Sequence, residues 1–347
     1  MQNKINPIIE KAIKERVFPG AVFLIGNSHN IGYCQAFGTT MYSDPGSKPV
    51  VKDTIYDIAS LTKLFTSTAT LILLDRGKIR LDTKVFSIIP EFSGGYKNEV
   101  TVWHLLTHTA GINFHLKSLK DFPSREIRQH LFHRPLDFEP GTKVQYSNPN
   151  AMMLAEIITV TSGKKFIDFL KDEIISPLGL KNTGFKPPKK LLSRIAPTEK
   201  DSWRMRLVHG EVHDESAFAL GGISGHAGLF STAEDLWKFG TLWLNKGSFR
   251  TKQILKKETV SQATTRQAKD NYGWIGLGWR IDNPKIVDHA PIGTYGHTGF
   301  TGTSIIISPL KNKILIVLSN RIYPKRKDVS LIQSVRNQLT ETVLTNN

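Results

Sequence analysis

The sequence predicts an α/β (α+β) fold: an antiparallel sheet built from both chain ends, flanked by helices, with a mainly helical subdomain inserted. Three observations carry this. Strand-like segments rich in Val, Ile, Phe and Gly cluster near both ends of the 347-residue chain. The stretch between them reads as helices separated by long loops. One helical pattern opens the chain and another closes it. Residues 1–77 and 221–347 are therefore expected to share one α/β subdomain, with 78–220 as the insert, all within a single domain of 1–347.

In chain order, residues 5–16 read as an amphipathic helix. GAVFLIGN and IGYCQAFGTT follow as two strands, joined by the turn-rich NSHN. Leu61 to Arg76 is a helix, apolar on most sides and hence buried, which Gly77 is placed to end. In the insert, Val102 to Leu106, Ser124 to His130 and Ala151 to Thr161 read as helices. In STAEDLWKFGTLWL, Ser231 and Glu234 have capping-box spacing, so a helix starts there. YGWIGLGWRI alternates with glycine, and GTSIIIS and ILIVLSN flank PLKNK as a hairpin. Ser330 to Val343 is the closing helix. No internal repeat or low-complexity segment interrupts this plan.

Hydrophobic residues make up 39% and charged residues 22%, which places the chain among globular proteins rather than disordered ones. No apolar run is long enough to span a bilayer. The N-terminal segment lacks the apolar core of a secretory signal, so the chain as given reads as cytoplasmic, a trimmed leader aside. The formal charge of +16 points to anionic partners. Nucleic acid is disfavoured: the basic residues are scattered, with no zinc-finger spacing and no aromatic-basic motif. The sole cysteine, Cys34, excludes an intrachain disulfide and lies in a strand pattern, where a packed thiol is expected.

The chemistry concentrates at DIASLTKLFTST. Residues three apart on a helix share a face, so the Lys63 amine would lie near the Ser60 hydroxyl. A serine becomes a nucleophile only when a base takes its proton. A lysine can be that base when burial or a cationic neighbour weakens its hold on its own proton. The apolar helix would supply the burial, and its start favours negative charge at Ser60. By itself S-x-x-K is common, and serine often merely caps a helix. Two further stretches single it out: Tyr146-Ser147-Asn148 in PGTKVQYSNPN and His297-Thr298-Gly299 in YGHTGFTGTSIII.

In this order the three stretches resemble those of the penicillin-recognising serine hydrolases: β-lactamases, DD-peptidases and their esterase relatives. Those proteins carry S-x-x-K, then S-x-N or Y-x-N, then K-T-G or H-T-G on an edge strand. WHLLTHTAGI and PGTKVQYSN are similar to the class C β-lactamase and esterase branch. VHDE, GHAGLFST and GHTGFTGTSIII together resemble the branch that includes exo-acting N-acetylmuramoyl-L-alanine amidases. The resemblance runs from about Val17 to Pro324. It implies a β-lactamase/DD-peptidase-like fold and a serine hydrolase working through a Ser60 acyl-enzyme. Under it, Lys63 shares the Ser60 proton. Tyr146, as phenolate or through Lys63, is the general base and later returns a proton to the leaving group. Asn148 orients Lys63 and binds the substrate amide. His297 and Thr298, with Gly299, bind the substrate's carboxylate or polar end, and His297 and Thr298 tune Tyr146. The backbone N–H groups of Ser60 and Phe300 form the oxyanion hole. No cofactor and no metal are implied.

The third motif departs from the β-lactamases, with histidine in place of lysine. Lysine is a fixed cation near neutral pH, whereas histidine titrates there, so β-lactams are expected to be poor substrates. No glutamate is identifiable that would activate a deacylating water as in class A enzymes. His209, His213, Asp214 and Glu215 in VHGEVHDE, with His226 nearby, could be read as metal ligands. The helix-borne H-E-x-x-H pattern is absent, and hydrogen-bonded groups or substrate contacts are the better expectation. His104 and His108 are expected to buttress Tyr146, and the six tryptophans to fill core or line the cleft. G-x-S-x-G, Walker and dinucleotide motifs are absent. The expected substrate is a small molecule or short peptide, most simply one cleaved at an amide bond of a peptidoglycan-derived or D-amino-acid peptide. A carboxylesterase or β-lactamase on the same machinery, and a non-catalytic penicillin-binding sensor, are the rivals. Oligomeric state is not legible.

Overall fold

The computed structural model describes residues 2–113, 121–284 and 290–345. Its centre is an eight-stranded sheet in the order 268–270, 273–275, 280–281, 295–298, 304–308, 313–319, 20–26, 31–38. All neighbours are antiparallel. The two ends of the chain meet inside it, where Phe23 pairs with Val317 and Leu24 with Ile316. Side chains alternate across a strand. Val22, Leu24, Ile316 and Leu318 therefore join one core, while Phe23, Ile25, Leu315 and Val317 join another. Both faces are covered, so Gly20–Gly26 is buried at every position and reads as a continuous apolar run.

The second core lies under the terminal helices Gln2–Lys14 and Val329–Leu344, through Ile5, Ile9, Ile332, Val335 and Leu339. The first core lies under the helices Thr62–Asp75 and Ala233–Leu244. Phe65 stacks on Phe239 at 4.2 Å, and an aromatic chain continues through Trp279 to Trp243 and Tyr295. Each such ring, fully buried, contributes ~1.5–3 kcal/mol from area alone. Thr62–Asp75 has buried residues on every side, which is why it lacks an amphipathic stripe. Gly77 follows it at φ +67, the left-handed conformation that ends helices.

Three expectations need correction. The helix starting near residue 231 is capped by Thr232, whose hydroxyl accepts from Asp235 N, and not by Ser231. Ser231 instead ends the strand Leu229–Ser231 and bonds Thr183 through its hydroxyl at 2.8 Å. Tyr295–Thr298, the strand of the third motif, is internal to the sheet rather than an edge strand. On that side its neighbour Arg280–Ile281 reaches only Tyr295 and Gly296, so His297 and Thr298 run past that pairing, and both line the cleft. Finally, residues 184–207 carry the short strands Gly184–Phe185, Lys200–Asp201 and Arg206–Leu207 where helix and loop were expected.

Candidate active site

Ser60 sits in a 3-10 turn, Ala59–Leu61, between the strand Tyr56–Asp57 and the helix Thr62–Asp75. Ala59 has φ +46, a left-handed conformation that costs a residue with a Cβ. The turn is therefore held from several sides. Ala59 N donates to Asp57 Oδ1 at 2.8 Å, and Asp57 Oδ2 accepts His213 N at 2.7 Å. Burial pushes the Asp57 carboxyl up, while these two amides pull it back down. Thr301 Oγ1 donates to Asp57 O at 2.7 Å and Thr303 Oγ1 to Ile58 O at 3.1 Å. These two bonds fasten the Ser60 turn to the turn that follows His297-Thr298-Gly299.

Lys63, one helical turn on, is 3% exposed. Its Nζ lies 3.0 Å from Ser60 Oγ, 2.8 Å from Asn148 Oδ1 and 3.1 Å from His226 O. The group hydrogen-bonded to Ser60 is thus Lys63. Asn148 begins the helix Asn148–Ser162, with Pro149 supplying the fixed φ suited to a first turn. Ser147 Oγ donates to Ile112 O at 2.6 Å and accepts from Asn150 Nδ2 at 2.8 Å. His108 Nδ1 faces Ser147 N and Asn150 Nδ2, which assigns it as the unprotonated nitrogen. The His108 ring packs 4.7 Å from that of Tyr146, so this histidine does buttress the tyrosine. His104 does not: its Nδ1 accepts from Thr101 N and completes a capping box. Two cations also flank the Tyr146 ring, Lys63 Nζ at 5.1 Å and the Arg280 guanidinium at 5.0 Å.

His297 is 3% exposed, with its ring 5.8 Å from that of Tyr146. Gly299 admits no side chain: a Cβ there would lie 2.1 Å from Thr303 Oγ1 and 2.5 Å from Ile58 O. Phe300, which follows, is exposed and stacks on His213. Among the described residues, neither the Ser60 N–H nor the Phe300 N–H meets a protein acceptor. Ser60, Tyr146, Asn148, His297, Thr298 and Phe300 all line one cleft of about 590 Å³.

The model of the family described as Beta-lactamase matches residues 5–340. The chain belongs to the beta-lactamase family. An N-acetylmuramyl-L-alanine amidase of Bacillus subtilis (strain 168) is 32% identical, over 92% of this chain and 80% of that one. A protein of Escherichia coli (strain K12), provisionally named D-alanyl-D-alanine carboxypeptidase, is 30% identical over 88% of this chain and 79% of its own length. Among solved structures, a class C beta lactamase superposes with a TM-score of 0.79 at 18% identity, covering 99% of this chain and 98% of that one. The octameric penicillin-binding protein homologue of Pyrococcus abyssi superposes at 0.77 with 25% identity, covering 99% and 79%. The fold is that of the beta-lactamases and penicillin-binding proteins, and the chain is a serine hydrolase of this family.

Against that family, His297 differs from the expectation of a residue titrating near neutral pH. Burial, then the Arg280 and Lys63 charges, hold it down at about 3. Its Nδ1–H donates to Thr298 O at 2.9 Å, which leaves Nε2 as an acceptor. His108 lies well below its usual value for the same leading reason, burial. The unfolded chain binds protons at both near 6.5, whereas the folded chain does not until far lower. The stability these neutral histidines contribute is therefore complete above about pH 6.5 and lost as pH falls toward the folded values. Each should steepen the loss by up to ~1.4 kcal/mol per pH unit. Urea unfolding between about pH 7 and about pH 5, above the carboxylate range, should show a falling midpoint, and His297→Gln should make that slope shallower. A midpoint that is flat or rises toward acid contradicts a buried neutral His297.

The histidines of VHGEVHDE and their neighbours are separated by their partners. His209 Nε2 lies 2.9 Å from Ile195 O, His213 Nε2 lies 2.6 Å from Glu199 Oε2, and His226 Nε2 lies 2.9 Å from Asp214 Oδ1. No group of three or more His, Cys, Asp or Glu able to hold a metal ion occurs among the described residues. Of the residues around the cleft, sequence reasoning missed Asp57, Thr301, Thr303, Arg280, Arg321, Arg326 and Arg336. Asp57 stood three residues before Ser60, Arg280 in a short strand, Arg321 and Arg326 in the basic run after the last strand, and Arg336 in the closing helix. None of these positions carries a motif of its own.

Proposed function

We propose that the chain hydrolyses an amide bond of small peptidoglycan-derived or D-amino-acid peptides through a Ser60 acyl-enzyme. The carrying observation is the setting of Lys63. Lys63 Nζ donates to Asn148 Oδ1 at 2.8 Å, His226 O at 3.1 Å and Ser60 Oγ at 3.0 Å, so the amine is held against the nucleophile by two fixed acceptors. It serves as base once it has given up one proton, with its lone pair then facing the Ser60 hydroxyl. As Ser60 Oγ attacks the carbonyl carbon, its proton passes to Lys63. The developing oxyanion takes the Ser60 and Phe300 N–H groups, donors worth ~2.7–4 kcal/mol each by removal. Tyr146, packed between Lys63 and His297, gives its phenolic proton to the leaving amine and is reprotonated from Lys63, and the C–N bond breaks to give the acyl-serine. Water then reverses the sequence on the ester, with the same base.

The amide assignment draws on the Bacillus subtilis amidase and the Escherichia coli protein, which align over most of the chain. A neutral His297 supplies no fixed cation beside Thr298, which disfavours rapid turnover of β-lactams. The test is a panel of muramyl peptides, D-alanyl-D-alanine peptides, p-nitrophenyl esters and nitrocefin, with intact-mass detection of the acyl-enzyme. The amides are expected to turn over best, with the acyl group on Ser60. Nitrocefin hydrolysis far above every amide and ester would make the protein a β-lactamase instead.

A further inference from the structure

The motifs VHDE and GHAGLFST supply two groups that the chemistry above leaves unused, the Asp214 carboxylate and the His226 ring. His226 is fully buried. Both of its ring nitrogens are held: Nδ1 lies 2.7 Å from Ser224 Oγ, and Nε2 lies 2.9 Å from Asp214 Oδ1. Burial pushes the Asp214 carboxyl up, but the His226 ring and the Ala217 amide outweigh it and hold the group well below the usual carboxylate range. An ionised Asp214 can only accept, so Nε2 carries a proton and donates to it. Asp214 is itself anchored, because Oδ1 also accepts Ala217 N at 2.9 Å and caps the helix Glu215–Ala219. The row is not a second nucleophile with its base. The serine-protease triad puts Nε2 on the serine and Nδ1 on the carboxylate, and here the two are exchanged.

The backbone that carries this ring faces the helix Thr62–Asp75. Gly225 O accepts from Thr66 Oγ1 at 2.7 Å, and His226 O accepts from Lys63 Nζ at 3.1 Å. Gly225 leaves no room for a side chain, since a Cβ would lie 2.0 Å from Ala151 O on the helix Asn148–Ser162. Gly228 follows at φ +119, a conformation that favours glycine. A segment with glycines on both sides of His226 can turn its carbonyls unless something holds them. The Ser60 site needs them held, because a misplacement of about 1 Å near reacting groups costs about 10²-fold in rate. A buried imidazole tied to a carboxylate is also more costly to bury than an aliphatic side chain of similar volume. Filling space does not account for it, whereas a ring fixed at both nitrogens accounts for a fixed carbonyl.

We propose that His226 is a positioning residue: clamped by Asp214 and Ser224, its ring aims its own carbonyl at Lys63 and so sets where the amine points. This rests on the reading of Lys63 as the base for Ser60. The test compares His226→Leu, which fills the space without hydrogen bonds, with His226→Gln, whose amide can still donate to Asp214. Asp214→Ser is the third variant: it can still cap its helix but is too short to reach the ring. The readouts are kcat and KM on the best substrate of the panel, and the rate at which a fluorophosphonate labels Ser60, followed by intact mass. Circular dichroism confirms the fold of each variant. His226→Leu and Asp214→Ser should each lose about 10²-fold in kcat and in labelling rate, with KM within about 3-fold. His226→Gln should stand at least about 10-fold above His226→Leu. Adding Asp214→Ser to His226→Leu should cost little more, because the two act as one unit. Native kcat in a folded His226→Leu overturns the proposal, and so does a His226→Gln no better than His226→Leu. Should His226→Leu not fold, Asp214→Ser decides: native kcat there overturns the proposal, and a raised KM beside it places Asp214 on the substrate instead. Should no substrate of the panel be cleaved, the amide reading fails separately, and the labelling rate stands in for kcat. A labelling rate lost in Lys63→Met but kept in His226→Leu overturns the proposal alone, whereas a rate kept in Lys63→Met overturns it together with the reading of Lys63.

Discussion

Ser60→Ala should abolish turnover of every substrate and every covalent adduct, while leaving the fold intact. The expected loss is of the order of a missing nucleophile in other serine hydrolases, ~10⁶ in kcat. The substitution removes one oxygen from a half-exposed position. It leaves the supports of the turn in place, because these run through Asp57, Ile58 and Ala59 rather than through the Ser60 side chain. Thermal unfolding should therefore move little. Labelling with a fluorophosphonate or a slowly released β-lactam, read by intact mass, gives one adduct on the native chain and none on the variant. An adduct that persists and maps to Ser147 or Ser224 would sink the assignment. Ser224 is the sharper control, since its hydroxyl lies 2.7 Å from His226 Nδ1 and His226 Nε2 lies 2.9 Å from Asp214. That arrangement looks like a hydrolytic triad, but Ser224 is 5% exposed and is not among the residues lining the Ser60 cleft.

The parts of the site that were readable in the sequence are those written in one contiguous stretch. Ser60 and Lys63 meet because a helix brings residues three apart together, which needs no tertiary knowledge. Tyr146 and Asn148 were legible only through the resemblance of Tyr146-Ser147-Asn148 to the family's second motif; the helix that Asn148 opens read as starting three residues later, at Ala151. The two strands at each end were legible from apolar runs bounded by turn residues, and the hairpin around PLKNK with them, although how the two ends of the chain meet in the sheet was not. The edge-strand expectation failed on Arg280–Ile281, which lies in the strand-like YGWIGLGWRI but whose pairing with Tyr295 and Gly296 the sequence does not show. The Ser231 cap failed by one residue because Ser231 is needed to finish a strand, a tertiary demand that a local capping pattern does not contain. His226 acts on Lys63 through its backbone carbonyl, which any residue type could supply, so its side chain carried no signal for that contact. His297 read as a neutral-pH titrating group because its composition says so. Its burial beside Arg280 and Lys63 is what removes the charge, and burial is a property of the fold.

Lys63→Arg should be nearly as inactive as Lys63→Met, and this comparison separates a base from a mere cation. Methionine keeps the unbranched stem and loses both the charge and the lone pair. Arginine keeps the charge but stays protonated across the working range, so it cannot accept the Ser60 proton. If Lys63 is the base, both variants should lose ~10³-fold or more in kcat, the upper part of the range for a positioned general base. Adding Ser60→Ala to either should then cost little further, because a nucleophile and its base act as one unit. The variants also leave Asn148 Oδ1 and His226 O without their buried donor, so unfolding must be followed in parallel to separate lost chemistry from lost stability. Burst-phase kinetics supply the check: a true loss of base slows acylation itself, with no accumulation of acyl-enzyme. If Lys63→Arg instead keeps more than about a tenth of native kcat, a fixed cation suffices beside Ser60. The proton would then have to pass to Tyr146, whose ring lies 5.1 Å from Lys63 Nζ, and Tyr146→Phe would become the more damaging change.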